Sequence, residues 1–200
     1  KADLVVLGET VPYVRTGKKP HETAEAVPGP LTEYFGTLAK QHSLHLVAFR
    51  SNAKLIKAED LPNIVSLTYF MEHGTDIKEA LRYARQLLGS HKTTNRQIIL
   101  ITDGEPTAAT LDRGGRLHSG WGSAMLHSRI VHETLKEVKR CTQSGIKINT
   151  FMLGADFYRQ GFVDQLSRLN TGRVFYTSPD QIGNYIVVDY IANKRKRVRA

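Results

Sequence analysis

Three oxygen-bearing side chains carry the most chemical promise. Thr75 stands in GTD (residues 74–76) just before an amphipathic run, and Asp103 and Glu105 stand in RQIILITDGEP (residues 96–106), where an apolar run stops abruptly. Thr102, Asp103, Gly104, Glu105 and Pro106 cannot continue a sheet. In an open parallel sheet, ligands collect outside the carboxyl ends of the strands, where loops and helix amino ends converge. A Thr75 hydroxyl and an Asp103 carboxylate brought together on such a rim are hard oxygen ligands of the kind that magnesium and calcium take. The same residues admit a plainer reading, in which Thr75 caps a helix and Asp103 ends a strand while Gly104 turns the chain.

The elements that must position these groups follow from hydrophobic periodicity. Strand-like apolar runs alternate with amphipathic helical stretches, the pattern of an α/β domain around a mainly parallel sheet. ADLVVLG (2–8) predicts a buried strand, LTEYFGTLAKQHS (31–43) a helix with Leu31, Phe35 and Leu38 on one face, and LHLVAFR (44–50) a second strand. NAKLIKA predicts an antiparallel edge strand beside it, and residues 61–73 fit no single pattern. DIKEALRYARQLLGSH is the clearest helix, with Ile77, Ala80, Leu81, Ala84, Leu87 and Leu88 at three- and four-residue steps. RQIILITD then reads as a central strand, because Ile98, Ile99, Leu100 and Ile101 suit a strand covered on both faces. Residues 104–127, with glycines around Trp121, predict a long surface loop. SRIVHETLKEVKRCTQSG predicts a helix, IKINTFMLG a strand, DFYRQGFVDQLSRLNTG a helix and RVFYT a final strand, with Ser178, Pro179 and Gln181 resembling a further helix start.

Composition narrows the function classes. Two hundred residues with 40% hydrophobic content suit one domain, expected over residues 1–193, followed by a basic tail at 194–200. The formal charge of +9 permits attraction to nucleic acid, acidic lipid or an acidic protein surface. Cys141 is the only cysteine and cannot form an internal disulfide, which favours a cytoplasmic setting, and it reads as a packed helix residue. The longest apolar runs are strand-sized, so no membrane span and no signal peptide are expected. The eight histidines form no metal-binding pair on one helix face. No phosphate-binding glycine loop, nucleophile elbow or dinucleotide fingerprint is present, which argues against an enzyme. Trp121 among its glycines is either an exposed partner anchor or a ring folded back onto the core.

GTDIKEALRYARQLL followed by RQIILITDGEPTA resembles the middle of a von Willebrand factor type A domain, and the likeness extends through VKRCTQSGIKINTFML and FVDQLSRLNTGRVFYTSPDQIGNYIVVDYI, roughly residues 44–197. It is similar to the C-terminal type A domain of a group of uncharacterised bacterial proteins. The resemblance implies a Rossmann-like, doubly wound, mainly parallel sheet flanked by helices with one antiparallel edge strand. It also implies a metal-ion-dependent adhesion site holding Mg2+, or Mn2+ or Ca2+, with Thr75 and Asp103 in its second and third ligand loops and Glu105 beside the ion. A protein partner would complete the coordination with an acidic side chain, at a surface built from the loops around Glu9, Thr75, Asp103 and Trp121; an AAA+ ATPase of the MoxR kind is one implied partner. The chain departs from the family at the first ligand loop, Asp-x-Ser-x-Ser, where Gly8, Thr10 and Pro12 stand. Thr10 keeps one hydroxyl, and Glu9 is the carboxylate that could substitute from a neighbouring position. Either the site is degenerate or part of that loop is missing from this sequence. The alternative function is a metal-independent scaffold that binds nucleic acid or an acidic partner through its basic surface.

Overall fold

The computed structural model describes residues 3–9, 43–57, 74–90, 94–111, 117–120, 122–153 and 160–177. Its main sheet has six strands: β1 (Asp3–Glu9), β2 (Ser43–Phe49), β3 (Ala53–Ile56), β4 (Arg96–Thr102), β7 (Ile146–Leu153) and β8 (Val174–Thr177). They lie in the order β3-β2-β1-β4-β7-β8. Every pairing is parallel except β2 with β3, so the edge strand expected at NAKLIKA is present and antiparallel. A second, two-stranded sheet pairs β5 (Ala108–Thr110) with β6 (Leu117–Ser119). Chain order reverses on either side of β1 and β4, the arrangement that opens a crevice at the carboxyl ends of those two strands.

Helices α1 (Ile77–Gly89), α2 (Ala124–Gln143) and α3 (Gln160–Leu169) flank this sheet in a Rossmann-like α/β fold. The periodic residues of α1 (Ile77, Ala80, Leu81, Ala84 and Leu88) are all buried, and they join Val5, Ile98, Leu100 and Ile148 of the strands and Phe162, Val163 and Leu166 of α3 in one apolar core. Each large side chain moved from water into such a core contributes about 1.5–3 kcal/mol. The alternate strand residues Val6, Leu46, Ala48, Ile99 and Phe151 are buried too, which is why β4 reads as continuously apolar rather than alternating.

Two polar devices fix the helices on the sheet. Glu137, fully buried in α2, accepts from Arg85 of α1 at 2.6 Å and from Arg140 at 2.8 Å, tying the two helices together. Asn170, just past α3, accepts from the Ile148 and Gly172 amides at 2.7 and 2.9 Å and donates to the Ile146 carbonyl and Thr142 Oγ1 at 2.9 Å each. Gly172 follows because a Cβ there would lie 1.7 Å from the Ile148 carbonyl oxygen.

The long loop expected at 104–127 is corrected in two places. The β5–β6 hairpin lies within it, with Ala108 opposite Ser119 and Thr110 opposite Leu117. Helix α2 also starts earlier than its periodicity suggested, because Ser123 accepts from the Leu126 amide at 3.2 Å and caps it. The helix expected at 31–43 lies outside the described residues except for Ser43, which opens β2 instead; the segment 61–73, the helix start at Ser178 and the basic tail also lie outside them.

Candidate functional site

Asp103 is the first residue after β4, and Thr75 lies two residues ahead of α1. Backbone bonds stitch their loops together: the Thr75 amide donates to Thr107 Oγ1 at 2.9 Å, and the Thr107 and Ala108 amides donate to the Thr75 carbonyl at 3.1 and 3.3 Å. Gly74 makes this approach possible. Its φ is +129°, and a Cβ there would come 2.7 Å from the Ala108 Cβ. The structure therefore brings the GTD and ITDGEP loops to one rim, at the carboxyl end of the sheet.

The plainer reading of Thr75 as a helix cap is corrected, because that role falls to Asp76. Asp76 Oδ1 accepts from the Glu79 amide at 2.8 Å, while Oδ2 accepts from the Thr110 amide at 2.9 Å and from Thr110 Oγ1 at 3.3 Å. Its own amide donates to the Arg50 carbonyl at 2.6 Å, so one residue joins the end of β2, the start of α1 and the β5 strand. The side chain is fully buried, and that desolvation pushes its carboxyl up to about 6 against the pull of the Glu79 and Thr110 amides. Lys78, two positions on, donates to the Thr110 carbonyl. Asp76 positions Thr75 rather than facing the rim itself. The sequence signal for it was Asp followed three residues later by Glu, a helix-start pattern.

Past Asp103 the chain turns tightly, with the Gly104 amide donating to Thr102 Oγ1 at 3.3 Å. Glu105 then reaches sideways: its Oε2 lies 3.1 Å from His127 Nε2 in the first turn of α2, and a Cβ on Gly161 at the start of α3 would sit 3.8 Å from its Oε1. Two helix amino ends thus face this carboxylate, a favourable setting for a negative group. Glu105 is held beside the rim, and its pairing with His127, 22 residues away, had no signal in the sequence.

Glu9 is the last residue of β1, paired with Phe49, while Gly8 pairs with Ile101 of β4. Glu9 therefore stands at the level of Thr102, one step short of Asp103. The Glu9 side chain, Thr10, Pro12 and Trp121 lie outside the described residues. At Gly8, a Cβ would meet nothing within 4 Å, so the position has room for the carboxylate that the family pattern expects there. Among the described residues no group of three or more His, Cys, Asp and Glu side chains could hold a metal ion. The rim's donors, one hydroxyl and one carboxylate, are the right kind for a hard divalent ion but few for binding it tightly. No helix among the described residues is long and apolar enough to cross a membrane.

Comparison with known proteins places this geometry in a family. A family model described as Rv0959-like protein, vWA domain, matches residues 23–191 and so begins after the positions of the first ligand loop. The uncharacterised protein Rv0959 of Mycobacterium tuberculosis is 29% identical over 160 residues, 80% of this chain; the chain spans 23% of that relative's length. Among solved structures, the vWF domain of the type V pili tip protein Mfa5 from Porphyromonas gingivalis is similar with a TM-score of 0.68 at 11% identity, covering 98% of this chain and 95% of that one. Proximal thread matrix protein 1 from the mussel byssus, with a zinc-occupied MIDAS motif, is similar with a TM-score of 0.52 at 13% identity, covering 92% of this chain and 43% of that one. These likenesses carry the fold, and the family match covers most of the sequence: the chain belongs to the Rv0959-like family of von Willebrand factor type A domains.

Proposed function

We propose that this domain is a noncatalytic interaction module whose carboxyl rim holds a hydrated divalent cation, Mg2+ first among the candidates, between Thr75 and Asp103. The observation that supports it is the stitching of the GTD loop to the ITDGEP loop beside the β1–β4 crevice. Bound there, the ion would supply a Lewis-acidic centre to which a partner's carboxylate could bind. Asp103 and Thr75 would hold it, Asp76 would fix the Thr75 loop, and Glu105 would stay beside it on His127. The zinc-occupied motif in the byssus protein supports a divalent ion for the fold, and the match of Thr75 and Asp103 to the second and third ligand loops supports its place. An adaptor or assembly role follows, in a cytoplasmic setting, with a MoxR-type AAA+ ATPase as one partner to seek.

Calorimetric titration with magnesium and manganese tests the site directly. The wild-type domain binds weakly, Asp103→Ala abolishes the heat, and Gly8→Asp tightens binding at least about tenfold by adding a carboxylate to the site's charge count. Wild-type heat that survives Asp103→Ala, or no gain from Gly8→Asp in a folded protein, would remove the ion from this rim. A pull-down with and without chelator then asks whether partner capture needs the ion.

A further inference from the structure

Beyond the rim, the outer face of α2 is a basic surface. Its buried side carries Ile130, Thr134, Glu137, Val138 and Cys141. The exposed side presents Met125, Arg129, His132, Lys136 and Lys139 at alternating four- and three-residue steps, with Arg140 beside the last. That stripe starts beside the rim, where His127 of the same first turn holds Glu105, and runs away from it for about 22 Å at 1.5 Å per residue.

Among the described residues, the carboxylates of α1 and α2 are already engaged. Glu137 is buried between Arg85 and Arg140, Glu133 accepts from Lys136 at 2.7 Å, and Glu79 on the neighbouring α1 accepts from Arg82 at 2.7 and 2.5 Å. Helices α1 and α2 together carry seven Lys or Arg against three Glu, a net charge of +4. Two further observations indicate what such a surface takes. Met125, at the rim end, is 87% exposed, an apolar anchor without a charge to offer a phosphate. No exposed Phe, Tyr or Trp lies on either helix to stack a base: Tyr83 of α1 packs against the core and α2 carries none of the three.

We infer that the outer face of α2 is a docking surface for an acidic segment of a protein partner, one that sets an apolar residue on Met125 and a row of carboxylates along Arg129, Lys136 and Lys139. The inference rests on the interaction-module reading but not on the ion. The α2 contacts form in chelator, so failure of the metal site and failure of this surface are separable.

The test is fluorescence anisotropy at low salt in EDTA. The probe is a fluorescein-labelled peptide of about 16 residues, long enough for the stripe at helical rise, with glutamates at three- and four-residue steps and one leucine near an end. A duplex DNA of about 16 base pairs, one charge per 1.7 Å of axis, is the competing polyanion. The peptide should bind the wild-type domain and Asp103→Ala equally. The triple variant Arg129→Glu, Lys136→Glu, Lys139→Glu should weaken it at least about tenfold, the direction expected when complementary charges are reversed. Met125→Ser should weaken it less, and the pair Lys54→Glu, Lys57→Glu on the β3 side should leave it within about twofold, as for charges remote from an interface. Circular dichroism melts confirm that each variant is folded. No peptide binding, equal binding by the folded triple variant, or a preference for the duplex that the same reversals abolish would each overturn the inference.

Discussion

Asn170 and the Thr75–Asp103 rim sit at opposite ends of the same sheet and use similar polar chemistry to opposite effect. At the amino end of β7, the Asn170 amide is 4% exposed, and both its oxygen and its nitrogen are engaged, holding Ile148, Gly172, Ile146 and Thr142. At the carboxyl end, Thr75, Asp103 and Glu105 are only half-buried, and the bonds that fix their loops come from the backbone, from Thr107 and from buried Asp76. A polar side chain that closes all its bonds inside the protein holds the fold. One that stays partly exposed on a rim can hold something else.

The most severe way to break the closed corner is Gly172→Ala. The added methyl would occupy the space of the Ile148 carbonyl, at 1.7 Å, and no side-chain rotation relieves a clash with backbone. Strand β7 would have to separate from the turn into β8, at a cost above the roughly 1–3 kcal/mol typical of overpacked cores, because the clash is with backbone. The expected outcome is insoluble expression or loss of a cooperative thermal transition. A variant that melts near wild type would show that the corner can yield.

At the open end, Asp76 and Asp103 are the matched pair to compare. Asp76→Ala removes a helix cap and leaves the Glu79 and Thr110 amides without their acceptor, so it should cost about 2–4 kcal/mol in denaturant unfolding. Asp103→Ala, at a half-buried position, should cost at least about 1 kcal/mol less, as polar truncations with access to water do. Asp76→Asn should recover only the cap's share of the loss, since its one amide oxygen can accept from the Glu79 amide while its NH2 would face the Thr110 amide, a second donor. Equal destabilisation by the two alanine variants would make Asp103 a structural residue and weaken its assignment to a ligand.

Legibility in the sequence followed the same division. Strand β4 and helix α1 were readable because their apolar residues recur continuously or at helical steps, and packing then buried those same residues. The rim placement of the loops of Thr75 and Asp103 was readable because each stands where such a pattern begins or ends. The β5–β6 hairpin was not: AAT and LHS are three-residue strands with no alternation, and their stability comes from distant contacts such as Thr110 with Asp76. Asp76 was overshadowed by its neighbour Thr75, and the Glu105–His127 pair depends on how a loop and a helix meet in space. Local periodicity encodes the elements, while long-range polar contacts decide which of their ends come together.

Thr150 offers the smallest and most discriminating change. It lies in the middle of β7, fully buried, on the strand face shared by Ile148 and Met152, and its hydroxyl has no hydrogen-bond partner among the described residues. Asn170 closes every bond it can make in a comparable interior, whereas Thr150 bears the cost of desolvating an oxygen without return. Valine keeps the branched shape that suits a strand and removes that oxygen, so Thr150→Val should raise stability by about 1 kcal/mol. In a chain of this size that is a rise in Tm of about 2–4 °C. A lower Tm would mean that the hydroxyl has a partner after all, and that β7, like the Asn170 corner, belongs wholly to the closed part of the molecule.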